Sequence, residues 1–135
     1  MISGILHINL LVPSGTLNHA QVFYGDTLGL TPRAVPVHMN GRLAWFDIGS
    51  SGQQVHVAIG TNEPASSRHP CFRVESKEKL AELRERVWES HVKRGEAAPR
   101  EADKPGEGIR GDQSAEFPTR FFCRDFAGNR LEFSI

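Results

Sequence analysis

The sequence predicts an α+β fold built from two modules, each with the element order strand, helix, strand, strand, strand. Three observations predict it. Short apolar runs with polar breaks alternate with two longer segments of helical periodicity. A stretch rich in Ser, Pro and Asn, at residues 60–68, divides the chain. After that stretch the same order of elements begins again, which is typical of a structural repeat.

The first module is predicted over about residues 1–60. Ile5–Val12 is an apolar run with polar breaks, which indicates a strand. Leu17–Leu28 carries apolar residues at helical spacing, and Gly29 behind it is a typical helix stop. Asn40-Gly41 is a hairpin-turn signal. The remaining strands are expected at Arg33–His38, Arg42–Ile48 and Gln53–Ile59.

The second module is predicted over about residues 69–135, and the two modules together are expected to form one domain over 1–135. Ser76 is a candidate cap for a helix over residues 77–93, with Gly95 ending it. The polar stretch Ala97–Glu116 is expected to hold a short edge strand and a loop. Strands are expected at His69–Val74, Arg120–Arg124 and Arg130–Ser134.

The composition excludes several classes of partner. Lys and Arg number 16 and Asp and Glu number 16, so the formal net charge is zero. A balanced chain gives no electrostatic reason to expect nucleic acid or an anionic membrane as a partner. The opening residues lack the features of a secretory signal, and no apolar run approaches the ~18 residues of a membrane span. A cytoplasmic protein is therefore expected, with Cys71 and Cys123 as reduced, buried thiols.

Candidate metal ligands lie at corresponding places in the two modules. His7 and His69 fall near the start of each first strand, and His56 and Glu132 fall in each fourth strand. Two imidazoles and one carboxylate suit a divalent metal with open coordination positions, such as Zn, Ni, Co, Mn or Fe(II). The ordinary alternative is that each His is hydrogen-bonded in the core and that Glu132 lies on a solvated face.

Two motifs resemble a known superfamily. Phe23–Leu30 is similar to the FYxxxLG signature of the glyoxalase/bleomycin-resistance/dioxygenase, or vicinal oxygen chelate, superfamily. Asp125–Phe133 is similar to its D-P-x-G-N-x-L-E-F ending, with Phe126 in place of the Pro. His7 in a first strand and His69-Pro70 at the start of the second module complete a resemblance that spans nearly the whole chain.

The resemblance implies a curved half-barrel sheet with helices outside, and His7, His69 and Glu132 as metal ligands. The equivalent position on the first module's fourth strand stays open between Gln54 and His56, which share a face. Glyoxalase I enzymes tend to have Glu there, which this chain lacks. That difference argues against glyoxalase I itself.

The function implied is a metal-dependent enzyme acting on a small oxygen-rich substrate. The metal would chelate two neighbouring oxygens and stabilise an enolate or oxyanion, in lyase or isomerase chemistry. Glu132 is the expected catalytic ligand, and the general base is open between a displaced ligand, a water on the metal and His56. Candidate substrate contacts are Gln54, Arg73, Arg120 and Phe122, because guanidinium groups pair with carboxylates and phosphates.

Alternative functions are kept open by the same residues. An extradiol-type dioxygenase would use the two His and one carboxylate to bind Fe(II). A metal-free drug-binding protein would use the fold without the ligands, and a thiol transferase of the fosfomycin-resistance type would share them. A homodimer is expected, since relatives often pair modules across two chains, and His7 would then complete a site in the partner chain.

Overall fold

A computed structural model describes residues 1–109 and 119–135 of the chain. The predicted α+β class and the repeated order strand, helix, strand, strand, strand are confirmed. The chain divides into two compact units, Met1–Asn62 and Glu63–Ile135, and the boundary lies inside the stretch at 60–68. In the described residues, no helix is both long and apolar enough to cross a membrane.

The first unit is a four-stranded mixed sheet packed against one helix. Its strands follow the order β1-β4-β3-β2, with β1 parallel to β4 and the other pairs antiparallel. The helix α1 changes from an α-helical to a π-helical turn pattern partway along. The elements are β1 (His7–Val12), α1 (Leu17–Ala20, continued by Gln21–Thr27), β2 (Thr31–Arg33), a 3₁₀ turn (Val37–Met39), β3 (Leu43–Asp47) and β4 (Gln54–Ile59).

The two faces of this sheet have different chemistry because side chains alternate along each strand. Phe23 and Tyr24 of α1 are fully buried, and the Tyr24 ring lies 5.8 Å from that of Phe46. Val55 and Val57 of β4 are also fully buried, whereas Gln54 and His56, which alternate with them, are only partly buried. The Phe-Tyr pair of the FYxxxLG motif is therefore core packing, and the polar residues of β4 share the other face.

The second unit repeats this plan with strand order β5-β8-β7-β6, and β5 is parallel to β8. Its helix begins at Ser76, whose side chain accepts a hydrogen bond from the Lys79 N–H, as predicted for a cap. Leu80 and Val87 of the helix are buried against the sheet. The elements are β5 (Cys71–Arg73), α2 (Lys77–Lys93), β6 (Glu101–Ala102), β7 (Arg120–Arg124) and β8 (Arg130–Ser134).

One predicted strand boundary and one predicted helix-stop residue are wrong for local reasons. The strand expected at His69–Val74 is only Cys71–Arg73, so His69 lies in the extended segment before it. Pro70 has no N–H to donate to a neighbouring strand, which explains the late start. Helix α2 ends at Lys93 as predicted, but the left-handed residue that stops it is Arg94 (φ 55°) rather than Gly95.

Two further expectations need correction. The strand expected at Arg33–His38 is Thr31–Arg33, and a 3₁₀ turn takes the place of the rest. Cys123 is a buried free thiol as expected, but Cys71 is exposed. The stretch Ala97–Glu116 holds the expected short strand, and its part from residue 110 onwards lies outside the described residues.

The turn before β8 explains the second family motif. Asp125 is fully buried, and its Oδ1 accepts hydrogen bonds from the N–H groups of Ala127 and Asn129, both at 2.9 Å. Gly128 has a φ of +91°, and a Cβ there would lie 2.6 Å from Pro64 Cβ. The motif thus fixes the path of the chain into β8.

We predict that Gly128→Ala destabilises the protein more than Gly106→Ala, its matched control. Both glycines have positive φ, but nothing lies within 4 Å of a Cβ at Gly106. The control should lose about 1–2 kcal/mol of unfolding free energy, the cost of a left-handed L-residue. Gly128→Ala should lose roughly 1–3 kcal/mol more, because Pro64 obstructs the methyl group. Urea denaturation of both variants measures this, and equal losses would contradict the packing role.

Candidate metal centre

His69 and Glu132 meet on one face of the second sheet. The parallel pairing of β5 with β8 continues to Pro70, whose carbonyl accepts a hydrogen bond from the Glu132 N–H at 3.1 Å. His69 Nε2 lies 2.9 Å from Glu132 Oε2. The Glu132 carboxylate is largely buried, with 11% of its side chain exposed, and the His69 side chain is 25% exposed. Two predicted ligands that are far apart in the sequence are thus close together in the fold.

The hydrogen bond on the other side of the His69 ring decides the chemistry of this contact. His69 Nδ1 lies 2.7 Å from the Ser67 carbonyl oxygen, which can only accept a hydrogen bond. Nδ1 therefore carries a proton, and in the neutral ring Nε2 points a lone pair at Glu132. A lone pair and a carboxylate oxygen repel each other unless a proton or a cation lies between them.

The separation of the two atoms fits a shared cation. Two donors bound at ~2.1 Å to adjacent positions of an octahedral ion lie about 3.0 Å apart, close to the 2.9 Å found here. A carbonyl on the far nitrogen is the usual partner of a metal-binding imidazole, because it fixes the tautomer and the ring orientation. In the described part of the chain, no group of three or more His, Cys, Asp or Glu side chains is placed to hold an ion. His69 and Glu132 are therefore a pair of candidate ligands and not a complete set of three.

Several side chains surround Glu132, and one of them binds its second carboxylate oxygen. Arg120 Nη1 lies 3.3 Å from Glu132 Oε1, and both side chains are mostly buried. The His69 ring meets the Phe122 ring edge-on at 5.5 Å, and the Arg130 guanidinium lies 4.4 Å from the Phe122 ring centre. Cys71 is directly opposite Glu132 in the register. Burial, and then the Glu132 carboxylate, raise the pKa of the Cys71 thiol.

In the first unit, three flat rings from three adjacent strands lie on top of one another. The His7 and His56 rings are 4.0 Å apart and nearly parallel, at 12°. The Trp45 ring stacks on His56 at 4.7 Å. Ring-nitrogen lone pairs lie in the ring planes, so two parallel stacked imidazoles cannot both aim at one ion. The stack therefore argues against His7 and His56 as ligands of the same metal.

A chain of polar contacts fixes the tautomer of His56. Asp47 binds Arg33 by an ion pair at 2.7 Å and accepts a hydrogen bond from Gln54 Nε2 at 2.7 Å. The other amide atom, Gln54 Oε1, then faces His56 Nε2 at 2.8 Å and can only accept. His56 Nε2 therefore donates, and Nδ1 keeps the lone pair. Burial, and to a lesser extent the neighbouring His7, lower the pKa of His56, which favours the neutral ring.

The fate of each predicted site residue follows from these contacts. Gln54 and His56, proposed as alternatives for one position, are hydrogen-bonded to each other. Arg120 and Phe122 lie beside Glu132, and Arg73 is exposed on the same sheet face, next to Ser134 in the register. His7 begins β1 and belongs to the first unit, so its role as the third ligand stays a prediction.

Sequence reasoning missed three residues of these sites. Arg130 alternates with Glu132 along β8, a signal that was present in the sequence. Trp45 and Cys71 required the strand register, because they neighbour His56 and Glu132 only across the sheet. The Trp45 indole N–H is also buried without a hydrogen-bond partner among the described residues.

Comparison with known proteins agrees with the motifs. No protein-family model matches the chain. No curated protein matches it either. A protein from Bacillus anthracis assigned to the glyoxalase family is 30% identical, with a TM-score of 0.72, and the match covers 98% of this chain and 94% of that one.

A fosfomycin resistance protein, FosX, from Listeria monocytogenes shares the fold at 18% identity and a TM-score of 0.71, over 99% of this chain and 91% of that one. The same protein in complex with Mn(II) and sulfate matches at 19% identity and a TM-score of 0.69, over 99% and 90%. The chain is 30% identical to the Bacillus protein over almost its whole length and shares its fold. It therefore belongs to the glyoxalase family of the vicinal oxygen chelate superfamily.

Proposed function

We propose that this chain is a divalent-metal-dependent enzyme that acts on a small oxygen-rich substrate by lyase or isomerase chemistry. The observation that carries the proposal is the contact of His69 Nε2 with Glu132 Oε2 at 2.9 Å, with the ring proton held on the opposite nitrogen by Ser67. A cation between the two atoms converts a repulsive contact into two bonds. The complex of FosX with Mn(II), in the same fold, supports a divalent cation here.

His69 and Glu132 would hold the cation, with His7 as the third ligand. His7 would come from the same chain or from the second copy of a homodimer. Arg120 would hold Glu132 in place through its second oxygen at 3.3 Å, as outer-shell partners of a metal ligand do. When bound, the cation would supply Lewis-acid stabilisation of negative charge developing on a substrate oxygen. The ion would be Zn, Ni, Co, Mn or Fe(II).

His56 is the proposed general base. Its Nδ1 keeps a lone pair because Gln54 fixes the proton on Nε2, and burial lowers the pKa of the ring, which favours the neutral form. A neutral imidazole in a fixed tautomer can take a proton from a carbon next to a carbonyl group. The parallel rings of His7 and Trp45 on either side keep the His56 ring from rotating. His56 is thus the proposed base, and Glu132 is the proposed acidic ligand.

We predict that Glu132→Gln weakens Mn(II) binding by at least about 100-fold, because loss of an outer-shell partner alone reaches that size. An amide keeps the shape of the side chain but removes the charge that binds the cation. Glu89→Gln, on the exposed side of α2, is the matched control and should bind Mn(II) as the parent does. Free Mn(II), measured by electron paramagnetic resonance in protein purified without a His tag, reports both. Unchanged binding in Glu132→Gln would show that the ligand assignment is wrong.

We predict that His56→Phe keeps Mn(II) affinity but slows proton abstraction by about 100-fold or more, the usual contribution of a general base. Phenylalanine preserves the ring stack and removes both nitrogens. Deuterium incorporation into hydroxyacetone, which carries two neighbouring oxygens, can be followed by NMR in D₂O with Mn(II)-loaded protein. His38→Phe, at an exposed position, is the control. The base role is excluded if His56→Phe exchanges deuterium as fast as the parent.

A further inference from the structure

The polar face of the first sheet carries a chain of hydrogen-bonded side chains beside the Trp45 ring. Directly paired residues lie on the same face of a sheet, and the register pairs Asp47 with Gln54 in one row. The next row pairs Trp45 with His56 on one side and with Arg33 on the other. Arg33 binds Asp47 across the two rows, at 2.7 Å. Gln54 is likewise hydrogen-bonded to His56, at 2.8 Å, so four polar side chains from three strands are linked end to end.

The first links of this chain have only one possible direction. A guanidinium can only donate and a carboxylate can only accept, so Asp47 accepts from Arg33 through Oδ2 and from Gln54 through Oδ1. The hydrogen bond from Gln54, and then that from Arg33, lower the pKa of Asp47, so its carboxylate is charged at neutral pH. The Gln54 amide has one donor end and one acceptor end, and Asp47 takes the donor end. The acceptor end therefore faces His56.

We propose that Asp47 is a positioning residue, which selects through Gln54 the ring nitrogen of His56 that carries the proton. Its influence on the ring passes through two hydrogen bonds and the orientation of one amide group. A reversed amide would present its N–H to His56 Nε2, and the neutral ring would then carry its proton on Nδ1. The inference rests on the proposed function for the use of the Nδ1 lone pair by a base, but the choice of tautomer does not depend on that use.

Asp47→Asn is the substitution that reverses the chain without changing its shape. Asparagine has a single acceptor oxygen, and the Arg33 guanidinium, which has only donors, competes with Gln54 for it. When Arg33 takes the oxygen, the asparagine amide group turns its N–H to Gln54. The Gln54 amide then rotates to present its own N–H to His56. The ring proton lies on Nδ1 in this arrangement.

The test is a two-bond ¹H–¹⁵N NMR spectrum of the ¹⁵N-labelled, EDTA-treated full chain at about pH 8, where a histidine of ordinary or lowered pKa is neutral. The cross-peaks show which ring nitrogen carries the proton, and the signals of His56 are those that His56→Phe lacks. The parent should hold the Nε2–H form in excess by about tenfold or more, the value of one unmade hydrogen bond. Asp47→Asn should shift the ratio by about tenfold or more towards Nδ1–H. Asp26→Asn, the same change of charge at an exposed position of α1, should keep the ratio of the parent.

Two double variants test the path through the amide. In a Gln54→Met chain, Asp47→Asn should have no further effect on the ratio, because the group that transmits the change is gone. In an Asp47→Asn chain, Arg33→Met should return the ratio part of the way to that of the parent, because the competing donor is removed.

Three results would overturn the proposal. The first is an excess of the Nδ1–H form in the parent, which needs no variant and decides the matter even if Asp47→Asn does not fold. The second is a ratio in Asp47→Asn that equals that of the parent. The third is an equal shift with and without the Gln54 amide, which would mean that the charge of Asp47 acts on the ring directly.

Deuterium exchange separates this inference from the proposed function. In Mn(II)-loaded Asp47→Asn, exchange into hydroxyacetone should fall in proportion to the Nε2–H fraction measured for His56, while Mn(II) affinity matches that of the parent. A shifted tautomer with unchanged exchange would show that the relay is right and that His56 is not the base. Slow exchange in His56→Phe without a shifted tautomer in Asp47→Asn would show that the base is right and that the relay is wrong.

Discussion

The second unit is arranged around one electrostatic constraint, the 2.9 Å approach of His69 Nε2 to a largely buried carboxylate oxygen of Glu132. Two lone pairs at that distance would repel each other, whereas a proton or a cation between the two atoms makes the contact attractive. The structure nevertheless holds both firmly. Ser67 fixes the ring from behind, and Arg120 holds the other carboxylate oxygen. Under the proposed function, the positive charge between the two atoms would be the divalent cation.

Backbone geometry supplies the precision that this contact needs. The β5–β8 pairing sets the height of Glu132 relative to His69, and the Asp125 turn sets where β8 begins. Gly128 lets the turn pass Pro64 at a distance that no side chain permits. The family motif Asp-x-x-Gly-Asn therefore contributes no ligand itself. It places the Leu-Glu-Phe segment so that Glu132 faces the site and its neighbours face the core.

Local patterns predicted the elements well where one face is clearly apolar. The bounds of α2, β7 and β8 follow directly from periodicity and the Ser76 cap. The register could not be read in this way, because it depends on which strands pair. The stack of Trp45 on His56 and the placing of Arg130 over Phe122 are consequences of register. For the same reason the sequence left Gln54 and His56 as alternatives for one position. In the fold, the Gln54 side chain is hydrogen-bonded to His56 and orients its ring.

The two registers show how one module plan gives two different polar surroundings on the fourth strand. His56 pairs with Trp45 on the third strand, and Glu132 pairs with Phe122 in the same way. Two residues earlier on the fourth strand stand Gln54 in one module and Arg130 in the other. The neutral amide gives His56 a fixed tautomer, whereas the guanidinium adds positive charge beside Glu132. Under the proposed function, this difference of one polar residue beside an equivalent aromatic ring would suit the first module to a base and the second to a cation.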